Sequence, residues 1–250
     1  VTPRRSNSKL EAVIFDVDGT LVDSERDGHR IAFNLAFEAA GLRDRWDVPT
    51  YGRLLEIAGG KRRLAYWLER TGRSMDEARQ RAADLHHKKT QIMRDLVVNG
   101  RIPPRPGARR LVAEVVASGA AIHIATTGNR AWVEPLLHQA FGRMFQVVIT
   151  GSEVTDLKPS PAAYWAVLDQ ADCDPARTVV VEDSAIGLRA ATGAGLRCVV
   201  ARNDFTREQD FAGAVLVAEG LDDPALVAWF ASRLPDSGET PPRRPDLARG

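Results

Sequence analysis

Cysteine is scarce. Cys173 and Cys198 are the two in 250 residues, and they fall in separate predicted elements. That excludes a disulfide scaffold and a CxxC-type metal or redox pair, and leaves two reduced, half-buried structural thiols as expected in the cytoplasm. Net charge is also nearly absent: 34 Lys and Arg against 33 Asp and Glu leave +1, so there is no bulk electrostatic attraction to nucleic acid or to a membrane surface. No apolar run is long enough to span a bilayer. No apolar signal segment follows the basic, polar Val1–Lys9, and no internal repeat is visible. The expectation is a cytoplasmic monomer, without nucleic-acid or membrane partners, whose length suffices for one large domain or a core with a smaller companion.

What is present is a chain of two textures. The apolar run Ala12–Phe15 reads as a buried strand. Residues 26–98 then carry helical periodicity and no strand candidate. Ile31, Leu35 and Ala39 recur at helical spacing before Gly41. A loop holds Trp46, Pro49 and Tyr51. A helix follows over Leu64–Glu69, and a long one runs from Ser74, a candidate N-cap with Glu77 three residues on, to Leu96. From Pro106 the chain alternates. Helices are expected at Ala108–Ala117, Ala131–Gln139, Pro161–Gln170, Ser184–Thr192 and Pro224–Arg233. Strands are expected at Ala121–Ala125, Gln146–Thr150, Thr178–Val181, Arg197–Ala201 and, more weakly, Ala214–Ala218. This predicts an α/β fold: a Rossmann-like parallel sheet core (9–25 and 99–235) with an inserted all-helical cap domain (26–98). Residues 1–8 and 236–250 read as a disordered lead-in and tail.

The chemistry lies where the strands stop. Asp16 and Asp18 follow the first strand, with Gly19 and Thr20 breaking it. Thr126 and Thr127 follow Ala121–Ala125. Asp156, Lys158, Pro159 and Pro161 follow Gln146–Thr150. Glu182, Asp183 and Ser184 follow Thr178–Val181. In a parallel sheet these ends share one edge, where open α/β sheets bind ligands. Two crowded acids there call for a hard cation or a shared proton. Singly, each feature has a plainer reading: Thr126 as a helix cap, Lys158 as a solvated lysine, Glu182–Ser184 as an N-cap. Together they form an inventory for phosphoryl chemistry.

Asp16-Val17-Asp18-Gly19-Thr20, the Thr126 strand end, Lys158-Pro159 and Glu182-Asp183 resemble the four motifs of the haloacid dehalogenase superfamily, over roughly residues 10–235. The helical insertion is similar to that superfamily's α-helical cap. The nearer resemblance is to the branch of β-phosphoglucomutase and CbbY-type sugar-bisphosphate phosphatases. Glu25-Arg26-Asp27-Gly28-His29-Arg30-Ile31-Ala32-Phe33-Asn34 and Gly59-Gly60-Lys61-Arg62-Arg63 favour CbbY. One departure is visible: His29 lies thirteen residues after Asp16, where some relatives place the equivalent histidine one residue earlier.

The resemblance implies a Mg2+-dependent sugar-phosphate phosphatase, with xylulose-1,5-bisphosphate the leading substrate and a phosphorylated sugar the only partner. It implies Asp16 as nucleophile and Asp18 as general acid/base. Magnesium would be held by Asp16, the backbone carbonyl of Asp18, and Asp183, with Glu182 a further ligand or an orienting group. Thr126, Thr127 and Lys158 would bind the phosphoryl group, with Lys158 also keeping Asp16 ionised. A cap closing over the sheet edge would keep water out, with hinges near Asp23–Glu25 and Arg105–Gly107. In the cap, Glu25 and His29 are candidates for sugar hydroxyls. Gly59, Gly60, Lys61 and Arg63, a glycine-rich helix start with cations, are candidates for a distal phosphate. His86 and His87 read as exposed helix residues rather than metal ligands. A phosphosugar mutase on the same scaffold and a non-catalytic phospho-receiver are the competing readings. A dehalogenase has no need of Asp18.

Overall fold

The computed structural model describes residues 9–57 and 59–235. The expected lead-in and tail lie outside the described residues. The chain divides into two compact units. One holds the residues up to Leu21, Arg105–Asn129 and the chain from Phe141 on; the other holds Val22–Pro104 and Arg130–Ala140.

The first unit is built on six strands, all parallel, in the order β3-β2-β1-β4-β5-β6. They are β1 (Ala12–Phe15), β2 (Ala121–Ala125), β3 (Val147–Ile149), β4 (Thr178–Glu182), β5 (Arg197–Ala201) and β6 (Leu216–Ala218). Every residue of β1 and β4 is buried, which is why Ala12–Phe15 and Val179–Val181 read as apolar runs. β1 is central, pairing Phe15 with Ile124 of β2 on one side and with Val181 of β4 on the other. The parallel registers bring four strand ends together: the Asp16 amide donates to the Val181 carbonyl at 3.0 Å, and the Thr126 amide to the Ile149 carbonyl at 3.0 Å. The strand order reverses between β1 and β4, which is the position at which such sheets open a crevice.

The second unit is helical. It holds α1 (Arg30–Ala39), α2 (Val48–Leu54), α3 (Gly60–Arg70) and α4 (Met75–Val98), with most of α6 (Arg130–Phe141). α6 joins this group through contacts such as His29 against Trp132, ring centroids 5.6 Å apart. The core is aromatic: Phe33, Phe37, Tyr51 and Trp67 all pack on Trp46. Ser74 caps α4 in a full capping box with Glu77. The loop expected around Pro49 is instead α2. Asp47 caps it by accepting from the Thr50 amide at 2.8 Å, and Pro49 sits in the first turn, where the missing N–H costs nothing. α3 likewise starts four residues before the expected Leu64, at Gly60. The remaining helices, α5 (Ala108–Ala117), α7 (Ala162–Ala171), α8 (Ala185–Gly193) and α9 (Pro224–Ala231), belong to the first unit. No described helix is long and apolar enough to cross a membrane.

Candidate active site

Lys158 organises the sheet edge. It enters from the loop after β3 and is buried. Its ammonium donates to Asp16 Oδ1 at 2.6 Å, to Glu182 Oε1 at 2.6 Å and to the Ala125 carbonyl at 2.9 Å. An ammonium has three protons, so all are engaged. Expected as a phosphate ligand, Lys158 would have to release one of these partners to reach a phosphoryl oxygen.

Glu182 is saturated as well. Oε1 also accepts from the Tyr164 hydroxyl at 2.7 Å, while Oε2 accepts from the Asp183 amide at 3.2 Å and the Ser184 hydroxyl at 3.3 Å. Gly187 makes room for it, since a Cβ there would overlap the Glu182 carboxylate. Asp183 is held differently. Asn203, just past β5, donates to its Oδ2 at 2.7 Å, and the Thr20 hydroxyl lies 3.4 Å from its Oδ1. Gly19, at φ +80°, fits beneath, because a Cβ would overlap the same Asp183 oxygen. The Arg105 guanidinium donates to the carbonyls of Gly19, Ala201 and Arg202, tying the turn after β1 to the end of β5.

Asp16, Glu182 and Asp183 each offer an oxygen within 4.8 Å of the others, and all three are buried. Burial pushes the Asp16 carboxyl up to about 6; Lys158 pulls it back and Glu182 raises it further. Burial, then Glu182 and Asp16, hold Asp183 well above the ordinary carboxylate range, with Arg105 and the Asn203 bond opposing. Burial disfavours the Lys158 charge, but the two carboxylates outweigh it and raise its pKa. Asp16 and Glu182 thus share one ammonium, with the Asp183 carboxylate beside them. The excess negative charge must be met by protons or by a cation, and an all-oxygen, buried donor set fits a hard divalent ion. The Asp18 carboxylate stands outside this cluster, half-buried, with the Thr126 hydroxyl 3.5 Å from its Oδ2. The same Thr126 oxygen accepts from the Gly128 amide at 3.0 Å, and Thr127 beyond it is exposed.

Within the helical unit, Glu25 and His29 lie on a π-helical turn, Ser24–His29. Such a turn takes up one residue more than an α-helical one. Tyr51 donates to Glu25, and Arg63 donates to the Tyr51 oxygen at 3.2 Å. Arg63 was expected on the exposed glycine-rich loop. It is buried instead, donating to the carbonyls of Leu54 at 2.8 Å and Ile57 at 3.3 Å, because it lies one turn into α3 on the inward face. Gly59 has φ +90°, and Lys61 is exposed at the start of α3. A Cβ on Gly60 would come within 3.0 Å of Phe33. His87 is exposed as expected, but His86 is half-buried.

Sequence reasoning passed over Asn203, Arg105 as a site residue, Tyr164 and Lys89. Asn203 carried a usable signal, a polar residue two positions past the buried strand β5. Tyr164 carried none, since an aromatic on a core helix reads as packing.

Comparisons with known proteins agree with this geometry. A family model described as haloacid dehalogenase-like hydrolase matches residues 10–195. Protein CbbY of Cereibacter sphaeroides is 43% identical over 209 residues, covering 82% of this chain and 90% of that protein. The crystal structure of CbbY from Rhodobacter sphaeroides in complex with phosphate shares 41% identity at TM-score 0.73, covering 85% of this chain and 95% of that one. A mutant of that protein in complex with xylulose-(1,5)-bisphosphate superposes with TM-score 0.72 at 41% identity and the same coverage, 85% and 95%. The four strand-end motifs, the sheet order and these matches together place the chain in the haloacid dehalogenase-like hydrolase family, with CbbY proteins among its relatives.

Proposed function

We propose that the protein is a Mg2+-dependent phosphatase of a sugar (bis)phosphate, with xylulose-1,5-bisphosphate the leading candidate, working through an aspartyl-phosphate on Asp16. The observation that carries the reading is the Asp16–Lys158–Glu182 arrangement beside Asp183: a carboxylate kept ionised by a buried ammonium within a cluster suited to a divalent cation.

In this reading Asp16 attacks phosphorus and forms an acyl-phosphate as the bond to the sugar oxygen breaks. Asp18 protonates that leaving oxygen, then takes a proton from the water that attacks phosphorus and releases phosphate and Asp16. Thr126 and the Thr127 amide donate to the phosphoryl oxygens. Lys158 counters Asp16's burial and holds it charged. Asp16, Asp183 and the Asp18 carbonyl would hold Mg2+, which supplies charge neutralisation for the transferring group. Glu182, with its acceptors filled, orients Lys158 rather than binding metal. In the helical unit, Glu25 and His29 recognise sugar hydroxyls and Lys61 a distal phosphate, with Arg63 bracing the loop that carries Gly59. The complex of a 41%-identical CbbY with xylulose-(1,5)-bisphosphate supports the substrate class.

The test is a panel of sugar mono- and bisphosphates and p-nitrophenyl phosphate, assayed with Mg2+ and with EDTA. Metal-dependent phosphate release, highest on a bisphosphate, is expected. Glucose 1-phosphate converted to its 6-phosphate would instead indicate a mutase. No turnover with stable phosphorylation of Asp16 would indicate a receiver. Lys61→Ala should raise KM for the bisphosphate far more than for a monophosphate; equal effects remove the distal-phosphate role.

A further inference from the structure

We propose that Tyr164 is a positioning residue whose hydroxyl commits Glu182 to Lys158 and so keeps that carboxylate out of the donor set offered to a divalent cation. The inference rests on the metal site of the function given above. It goes further in making one buried hydroxyl a determinant of which cation that site prefers.

An ionised carboxylate has about four lone-pair positions. On Glu182, Oε1 takes the Lys158 ammonium at 2.6 Å and the Tyr164 hydroxyl at 2.7 Å, while Oε2 takes the Asp183 amide at 3.2 Å and the Ser184 hydroxyl at 3.3 Å. Every position is taken. The Asp183 amide is backbone and cannot be withdrawn. Ser184 is the cap of α8, accepting from the Gly187 amide at 3.1 Å. Lys158 is tied to Asp16 and to the Ala125 carbonyl as well. The Tyr164 hydroxyl is the donor whose removal opens a lone pair on Oε1 without changing any charge.

The placement follows from the chain. Lys158 and Tyr164 lie on one short segment, the loop after β3 and the first turn of α7. Tyr164 is fully buried, and its ring centroid lies 5.0 Å from Lys158 Nζ, so one side chain touches both members of the Lys158–Glu182 pair. Burial, with Glu182 and Asp16 nearby, pushes the phenol well above its ordinary range, and it stays a donor. Glu182 has no room to retreat toward α8, since a Cβ on Gly187 would already overlap its carboxylate. With Oε1 filled, the carboxylates left for a cation are Asp16 and Asp183. Such a sparse set suits a small ion that keeps several waters in an octahedral shell. Glu182 offers an oxygen within 4.8 Å of those from Asp16 and Asp183, so releasing it makes a third carboxylate available. A larger ion that takes roughly six to eight oxygens gains most from that addition.

The experiment titrates the full chain, stripped with EDTA and free of substrate, with Mg2+ and with Ca2+ by calorimetry at pH 7.5. Tyr164→Phe removes the hydroxyl and keeps the ring. The ratio of Mg2+ to Ca2+ affinity should fall about ten-fold. A packing role alone would lower the Tm and leave that ratio at its native value, an outcome that overturns the proposal. Placed in a Glu182→Gln background, Tyr164→Phe should leave the ratio unaltered. An equal fall there means that the hydroxyl does not act through Glu182, and this too overturns the proposal. Because the readout is binding, it is separable from catalysis. A native protein that binds Mg2+ but hydrolyses no sugar phosphate would remove the phosphatase reading and leave this inference standing; one that binds neither cation would remove both.

Discussion

The two units concentrate opposite charge. At the sheet edge three buried carboxylates cluster, two of them, Asp16 and Glu182, sharing the Lys158 ammonium. In the helical unit the cations are buried instead: Arg63 donates to Tyr51, which donates to Glu25, and the Lys89 ammonium lies 2.9 Å from His29 Nδ1. Each arrangement is costly alone, because like charges are crowded where water cannot screen them. The acidic cluster is complementary to a cation and the basic cluster to an anion. The difference teaches that electrostatic cost at a functional site is an index of the missing partner's sign. It also shows how the chain reaches a net charge of +1 while holding two strongly polarised regions.

Changing the charges breaks or sharpens that contrast. The largest effect is expected from Asp16→Asn, which removes the proposed nucleophile while keeping the shape. Turnover should fall roughly ten-thousand-fold with the circular dichroism spectrum unchanged. Lys158→Met should follow. It strands Asp16 and Glu182 without their cation and should cost about 3–5 kcal/mol in urea unfolding, besides activity. A nearly neutral Lys158→Met would show that the carboxylates are protonated in the native protein.

The pH dependence carries the same sign logic. The folded Asp16 pKa, about 6, lies above its ordinary value of 3.8, so the folded chain binds more protons between those limits. Its contribution to stability is therefore present at low pH and lost as pH rises from about 4 to about 6, remaining flat above. Asp183 acts in the same direction. In EDTA, the Tm of the native protein minus that of Asp16→Asn should fall across this window. Added Mg2+ should raise the native Tm more at pH 7.5 than at pH 5, where protons compete for the same oxygens.

Asn203→Ala is a smaller perturbation on the acidic side. It frees Asp183 without changing charge, and the Mg2+ concentration for half-maximal activity should rise about ten-fold or more. Ser74→Ala, remote from both clusters, sets the floor. Losing the α4 cap should cost about 1 kcal/mol of stability and leave kcat and KM unaltered.

The order of strands and helices was readable because buried parallel strands are apolar on both faces and stop abruptly at polar residues. β2 and β5 occupy the residues expected, and β4 extends one residue further, to Glu182. The residues of α2 read as a loop holding Pro49 and Tyr51, although Pro49 at a first-turn position permits a helix. Asp16, Lys158, Glu182 and Asp183 stood out as polar residues at strand ends, and the parallel sheet gathers such ends on one edge.

What each of those side chains touches was decided by the fold. Asn203 reaches Gly19 across 184 residues of chain, and Lys158 reaches Asp16 across 142. No local pattern encodes whether Arg63 turns toward solvent or toward the Leu54 and Ile57 carbonyls, nor that Lys89 meets His29 rather than water. Periodicity reports which face of an element is buried. The partner of a polar group on that face depends on the packing of segments distant in sequence, so charge states and hydrogen-bond directions belong to the tertiary structure alone.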